Sequence, residues 1–199
     1  MVDFFGYADP LRRSFFLRGG IERRYFFLDR TQARPDEDVD QRAARFQAGS
    51  VALGDEAIRS GLDRGGLDVS EIDFLVTTTC TGRLVPSLDA HLIRALGFRD
   101  DVQRVHVGDT GCASAIVALQ QAFNHLHAFP DRRALVVSVE LCSTTYTVDD
   151  SLETAVANAL FADGAAAILL GTTGEGAETR PSLAQIALGL SFTDPDNIR

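Results

Sequence analysis

The chain has no tryptophan, one methionine and only three cysteines in 199 residues. An odd cysteine count without a Cys-x-x-Cys pair argues against a disulfide framework or a structural zinc site, and fits a reducing cytoplasm. No apolar run approaches the roughly 18 residues a membrane-spanning helix requires. The opening stretch interrupts its phenylalanines with charges, unlike a signal peptide. Basic residues are outnumbered 19 to 28, giving a net charge of −9, the wrong balance for wrapping nucleic acid. Internal repeats and low-complexity tracts are absent too. What is present is a globular composition, 45% hydrophobic and 24% charged, long enough for one domain with a substantial core.

Periodicity predicts alternating helices and strands after an irregular first thirty residues. Asp36 to Leu62 reads as a long helix ended by Gly65-Gly66. Ile72 to Thr79 reads as a buried strand, and Ser87 as the cap of a helix stopped by Gly97. Arg104 to Val107 reads as a short strand, and Gly111 to His127 as a helix broken before Pro130. Ala134 to Val139 is a strand, Leu152 to Ala162 a helix and Ala165 to Leu170 a strand. Gly171 to Pro181 reads as a loop, including the turn Gly174-Glu175-Gly176, and Leu183 to Phe192 as a last strand. This alternation predicts an α/β fold with a mostly parallel mixed sheet between helices. Such sheets bind ligands beyond the carboxyl ends of their strands.

The three cysteines, Cys80, Cys112 and Cys142, recur at 30 to 32 residues, about one βα unit, each just after a predicted strand. Parallel strands would put all three on the ligand-binding edge. For Cys80 and Cys142 the competing reading is burial as small apolar side chains. Cys112 differs, because Gly111-Cys112-Ala113-Ser114-Ala115 places it at a strand-to-helix turn among small neighbours. The positive end of a helix dipole favours thiolate, the nucleophile of acyl transfer.

Around these positions the sequence resembles a known family. Gly20-Ile21-Glu22-Arg23-Arg24-Tyr25, the Gly-Cys-Ala turn, SVELCSTTY (138–146) and Leu160-Phe161-Ala162-Asp163-Gly164-Ala165 occur in order. Together they are similar to the thiolase superfamily, in the branch of ketoacyl synthase III and the type III polyketide synthases. Thr79-Cys80-Thr81-Gly82 with Pro86-Ser87-Leu88-Asp89-Ala90 points to the bacterial type III enzymes over ketoacyl synthase III, and SVELCSTTY resembles the tetrahydroxynaphthalene-synthase-like members. The resemblance implies a thiolase-like fold over residues 1–199, as the nucleophile-bearing, amino-terminal half only.

By the same resemblance, Cys112 is the acyl-accepting nucleophile and Phe161 a gatekeeper of the substrate tunnel. Cys80, Val85, Cys142 and Thr145 would line the pocket. Arg12, Arg13 and Arg18 lie near where relatives hold coenzyme A phosphates; the plainer reading is a solvated basic turn. The family uses acyl-CoA and malonyl-CoA as substrates and needs no separate cofactor or metal. The expected partners are a second copy in a homodimer, or a chain carrying the carboxyl-terminal half. The His and Asn that relatives draw from that half have no counterpart here, and His91, His106, His125 and His127 do not fill the gap. One alternative is a ketoacyl synthase III-like enzyme using an acyl carrier protein, for which the acidic balance is unfavourable. Another is a non-catalytic or truncated subunit.

Remaining motifs read as structural. Gly108-Asp109-Thr110-Gly111 lacks the Lys-Ser/Thr of a phosphate loop. Asp149, Asp150 and Glu153 read as a helix cap and its acidic first turn in preference to a metal site. Phe4, Phe5, Phe15, Phe16, Phe26 and Phe27 read either as core from a strand pair or as tunnel and interface surface. Ile116, Val117, Leu119, Phe123 and Leu126 cover more than one face of their helix, the pattern of burial on several sides.

Overall fold

The computed structural model describes residues 2–27, 38–147, 149 and 151–171, and the backbone of 187–191. The Gly-rich loop after Gly171, the Gly174-Glu175-Gly176 turn, Asp150, and the ends predicted at Asp36, Leu183 and Phe192 lie outside the described residues.

Among the described residues, five helices and five strands alternate much as the periodicity predicts. They are α1 (Pro10–Arg18), α2 (Val39–Gly65), β1 (Phe74–Thr79), α3 (Leu88–Leu96), β2 (Gln103–Gly108), α4 (Ser114–Ala128), β3 (Ala134–Leu141), α5 (Leu152–Leu160), β4 (Asp163–Leu170) and β5 (Ala187–Ser191). The strands form one sheet in the order β2-β1-β3-β4-β5. β1 pairs in parallel with both β2 and β3, whereas β4 runs antiparallel to β3 and to β5. The sheet is therefore mixed and lies between helices. Its parallel part is the segment carrying the cysteine-bearing loops.

Local chemistry explains the boundaries. Asp38 accepts from the Gln41 backbone while the Gln41 side chain accepts from the Asp38 N–H, a capping box that starts α2. Gly66 ends it in the left-handed conformation, φ 65°. The first thirty residues are not irregular throughout. Asp9 accepts from the Arg12 N–H and Pro10 occupies the first turn, which nucleates α1. Ser87 stands at the N-cap of α3, but its hydroxyl donates to Asp89 and not to the helix backbone.

Side-chain alternation sorts the core into two layers. Leu75, Leu135, Val137 and Val139 face α2 and α3, meeting Phe46, Leu53, Ile58, Leu62, Leu88 and Leu92. Phe74, Val76, Ala134 and Val136 face α4, meeting Ala118, Ala122 and Leu126. Each large aliphatic side chain so buried stabilises by roughly 1.5–3 kcal/mol. The described amino-terminal aromatics do not belong to a strand pair. Phe5, Tyr7 and Phe16 pack on Ala155 and Ala159 of α5 in a separate small cluster.

On α4 only Ser114, Ala118, Ala122 and Leu126 are buried, while Ile116 is 70% exposed and Val117 and Phe123 are also exposed. The apolar surplus read from the sequence is thus an uncovered face.

Close approach of α2 to the end of β3 depends on Gly49, where an added Cβ would collide with Leu141 and Phe27. Gly49→Ala gains about 1 kcal/mol of helix propensity but overpacks at a cost of about 1–3 kcal/mol. The expected outcome is a net loss near 1 kcal/mol, read as a lower denaturant midpoint. An unchanged or higher midpoint would contradict the packing.

Candidate active site

Register decides which side chains meet. Thr78 stands opposite Val107 on one side and Ser138 on the other. The chain therefore leaves β1, β2 and β3 at the same edge, and Cys80, Cys112 and Cys142 follow those exits. At that edge the Cys80 backbone N–H donates to the Glu140 carboxylate, near the end of β3.

Two left-handed residues present Cys112. After β2 the chain turns through Asp109, φ 59°, and Gly111, φ 70°. Cys112 sits in a 3-10 turn over Gly111–Ala113, so α4 itself begins two residues later, at Ser114. Its side chain is exposed. Asp109 is held by Arg83 across the mouth of the turn at 2.5 Å; both side chains are solvated, so the pair orients the loop more than it stabilises the fold.

The other two thiols differ. Cys80 is exposed, but local burial and Glu140 push its thiol up to about 11. Cys142 is half-buried, and burial with Asp163 and Glu140 pushes it up to about 12. Both causes disfavour the charged form.

Glu140 is the residue that sequence reasoning passed over. It accepts from the Cys80 backbone N–H through both oxygens, at 3.0 and 3.1 Å, and from Thr79 Oγ1 at 3.5 Å. The available signal was a lone carboxylate ending the apolar run of β3, on the cysteine edge.

Asp163 has a different task. Buried, it accepts from the Phe27 N–H at 2.8 Å, the Ser143 N–H at 2.7 Å and the Ser143 hydroxyl at 2.5 Å. It thereby ties the amino-terminal segment to the turn after β3. Burial raises its pKa against the pull of these donors.

The remaining candidates fall into two places. Thr145 shares the 3-10 turn Cys142–Thr145 and donates to the Cys142 carbonyl at 2.8 Å. Phe161 ends α5, is 49% exposed, and its carbonyl accepts from the Tyr146 hydroxyl. Val85 is 99% exposed beyond β1. Arg12, Arg13 and Arg18 lie on α1, which packs against α5. Arg12 pairs with Asp9 at 3.3 Å and Arg13 with Asp3 at 3.1 Å. Arg18 borders a hollow of about 250 Å³ between α1 and α5, lined by Ser14, Phe15, Val156 and Leu160.

Asp149 accepts from Ser151 and Thr154 and supports the start of α5, where Ser151 is the N-cap. Among the described residues, no group of three or more His, Cys, Asp or Glu could hold a metal, and no helix is long and apolar enough to cross a membrane.

Residues 15–187 match the FAE1/Type III polyketide synthase-like protein family. The chain belongs to that family. It is 40% identical over 159 residues to the 1,3,6,8-tetrahydroxynaphthalene synthase of Streptomyces peucetius subsp. caesius, covering 80% of this chain and 42% of the relative. It is 36% identical over 173 residues to the 3,5-dihydroxyphenylacetyl-CoA synthase of Streptomyces toyocaensis, covering 85% and 44%. The crystal structure of 1,3,6,8-tetrahydroxynaphthalene synthase from Streptomyces coelicolor A3(2) superposes with a TM-score of 0.75 at 27% identity, covering 83% of this chain and 48% of that one. The chain thus spans about half the length of the relatives it matches or less, and its fold is the amino-terminal part of the thiolase-like fold of type III polyketide synthases.

The histidines lie away from the thiols or are otherwise engaged. His106 Nδ1 and Thr77 Oγ1 are 2.8 Å apart. His125 stacks on Phe74 at 4.2 Å, at the opposite end of β1 from Cys80. Burial and Arg132 lower the pKa of His125. The unfolded chain therefore takes up a proton first as pH falls below the ordinary value of 6.5, and stability declines through that window to the lower folded pKa. His125→Phe keeps the stack without the titration, so its melting temperature should fall less than the wild type's between about pH 7 and 5. Parallel melting-temperature profiles would refute this.

Proposed function

We propose that this chain carries the acyl-accepting half of a type III polyketide synthase, with Cys112 as nucleophile. The observation that carries this reading is the exposed Cys112 on a turn bent by two left-handed residues, at the edge where the three cysteine-bearing loops open. The substrates are coenzyme A thioesters. The Cys112 sulfur attacks the thioester carbonyl, a carbon–sulfur bond forms, and coenzyme A leaves as its thiol. Malonyl-CoA then loses carbon dioxide, and the resulting enolate attacks the acyl carbon and frees Cys112. Negative charge on that enolate requires preorganised donors, which the resemblance assigns to a His and an Asn of the second half.

Cys142 and Thr145, on one turn after β3, and Cys80 are read as pocket-lining residues, since their loops leave the same sheet edge as that of Cys112. Phe161 and Val85, both exposed in this chain, suit positions completed by another half or another copy. Arg12 and Arg13 already serve Asp9 and Asp3, so Arg18 is the best placed of the three for a phosphate of coenzyme A. A ketoacyl synthase III-like reading draws no support from the acidic surface, which would repel an acidic carrier protein.

Limiting iodoacetamide or acyl-CoA, followed by peptide mass spectrometry, should label Cys112 first, and Cys112→Ser should abolish acylation. Preferential labelling of Cys80 or Cys142 would sink the nucleophile assignment. Given malonyl-CoA as well, the isolated 199-residue chain should stop at the acyl-enzyme. Formation of a pyrone or resorcinol would overturn the division of labour between halves.

The partner reading rests on Ile116, Val117 and Phe123. Full exposure of such a side chain forfeits roughly 1.5–3 kcal/mol, so at 70%, 38% and 42% exposure the three together forgo about 2–4 kcal/mol, a sizeable part of a margin of about 5–15 kcal/mol. Light scattering should therefore find the isolated chain self-associated or aggregating, and a carboxyl-terminal half should restore a defined complex. A monomeric, cooperatively melting 21.5 kDa species would contradict it.

A further inference from the structure

We infer that Tyr146 is a positioning residue for substrate length: its hydroxyl fixes the backbone of Phe161 and so sets how that ring stands over the site. This rests on the reading of Phe161 as gatekeeper and of Cys112 as acyl acceptor. The connection from α5 to β4 consists of Phe161 and Ala162 alone, and Phe161 is 49% exposed. A side chain with so little packing of its own takes its direction from its backbone. The Tyr146 hydroxyl donates to the Phe161 carbonyl at 2.7 Å, at the residue whose ring is in question.

The connection is also held on either side of that bond. Before Phe161, the buried Arg24 guanidinium donates to the Ala159 carbonyl in the last turn of α5. After it, the Asp163 N–H donates to the Tyr25 carbonyl at 2.8 Å. Tyr146 itself stands on a stiff support. Its ring meets Phe5 edge-on, with centroids 5.2 Å apart, and Phe26 at 5.6 Å. The next carbonyl, that of Thr147, accepts from the buried Asn158 amide of α5 at 2.8 Å, and the same amide donates to the Tyr7 hydroxyl at 3.0 Å. Burial raises the Tyr146 pKa, so the hydroxyl keeps the proton it donates. Tyr146 directly follows the 3-10 turn that carries Cys142 and Thr145. One hydrogen bond therefore links the turn read as pocket-lining to the residue read as gatekeeper.

Tyr146→Phe tests this, because it removes the hydroxyl and keeps the ring. Wild type and variant would each be offered an equimolar mixture of acetyl-CoA and dodecanoyl-CoA, and the acyl masses on the Cys112 peptide compared. The expected result is a rise of about fivefold in the dodecanoyl-to-acetyl ratio, the factor equivalent to the ~1 kcal/mol of one hydrogen bond. Hydrogen exchange of the peptide containing Phe161 and Asp163 should quicken by a similar factor, with exchange in β1 and β3 unchanged. Phe161→Ala should raise the ratio as well. Adding Tyr146→Phe to it should raise the ratio no further, because the hydroxyl acts through that ring.

An unchanged ratio in Tyr146→Phe, with Cys112 still acylated, would overturn the inference and leave the nucleophile assignment intact. A full Tyr146→Phe effect in the Phe161→Ala background would overturn it too, as would exchange quickened throughout the sheet, the mark of a purely structural role. In the wild type, absence of both acyl groups from Cys112 would overturn the nucleophile reading and this inference with it.

Discussion

The parallel pairing of β1 with β2 and β3 is the constraint on which the rest of the site depends. A parallel ladder forces successive strands to leave the sheet in the same direction, and each crossover must return over a face. Three separate loops then open at one edge, and each carries a cysteine. Antiparallel pairing between any two of these strands would have put their cysteines at opposite ends. Where the pairing does become antiparallel, at β3 and β4, the result is a different kind of link. Asp163 begins β4 beside the end of β3 and bonds back to Ser143 and Phe27.

Much of this arrangement was legible in the sequence because it follows from spacing and apolar period. α2, α3, β1 and β3 have long apolar patterns or clear glycine stops, and the structure sets them within a few residues of the expected ends. The Gly-Cys-Ala turn announced itself through its small residues. α1 was less legible because its signal is a two-residue cap, Asp9-Pro10, in front of a stretch whose buried face is essentially Phe16 alone. Glu140 was missed for another reason. A charge at the end of an apolar strand reads as a solvated strand end until the register shows which backbone N–H it faces. Packing of the phenylalanines was likewise beyond reach, since it requires α5 to meet α1 across more than a hundred residues of sequence.

The three thiols share an edge but not an environment, and what separates them is position relative to the core. Cys142 follows the central strand β3 directly and keeps its partial burial. Cys80 leaves β1 into a turn tied down by Thr79 and Thr81, the latter accepting from the Leu141 N–H at 2.8 Å. Cys112 lies beyond the peripheral strand β2, on a turn bent by two left-handed residues. Cys80 and Cys112 are thus both exposed while Cys142, after the central strand, is half-buried, and a residue type repeated three times meets different surroundings without any change in the fold.

The termination of the apolar core at the strand ends also bears on how such a site diversifies. Val107, Val139 and the threonines of β1 close the packed layers, and the exposed Cys80 and Cys112 lie beyond them. Exchanging one of these exposed residues opens no void beneath it, so the cavity cost that follows truncation in a packed interior does not arise. The volume and polarity of this edge can therefore drift through point substitutions while the scaffold keeps its stability. One sheet can carry many different edges.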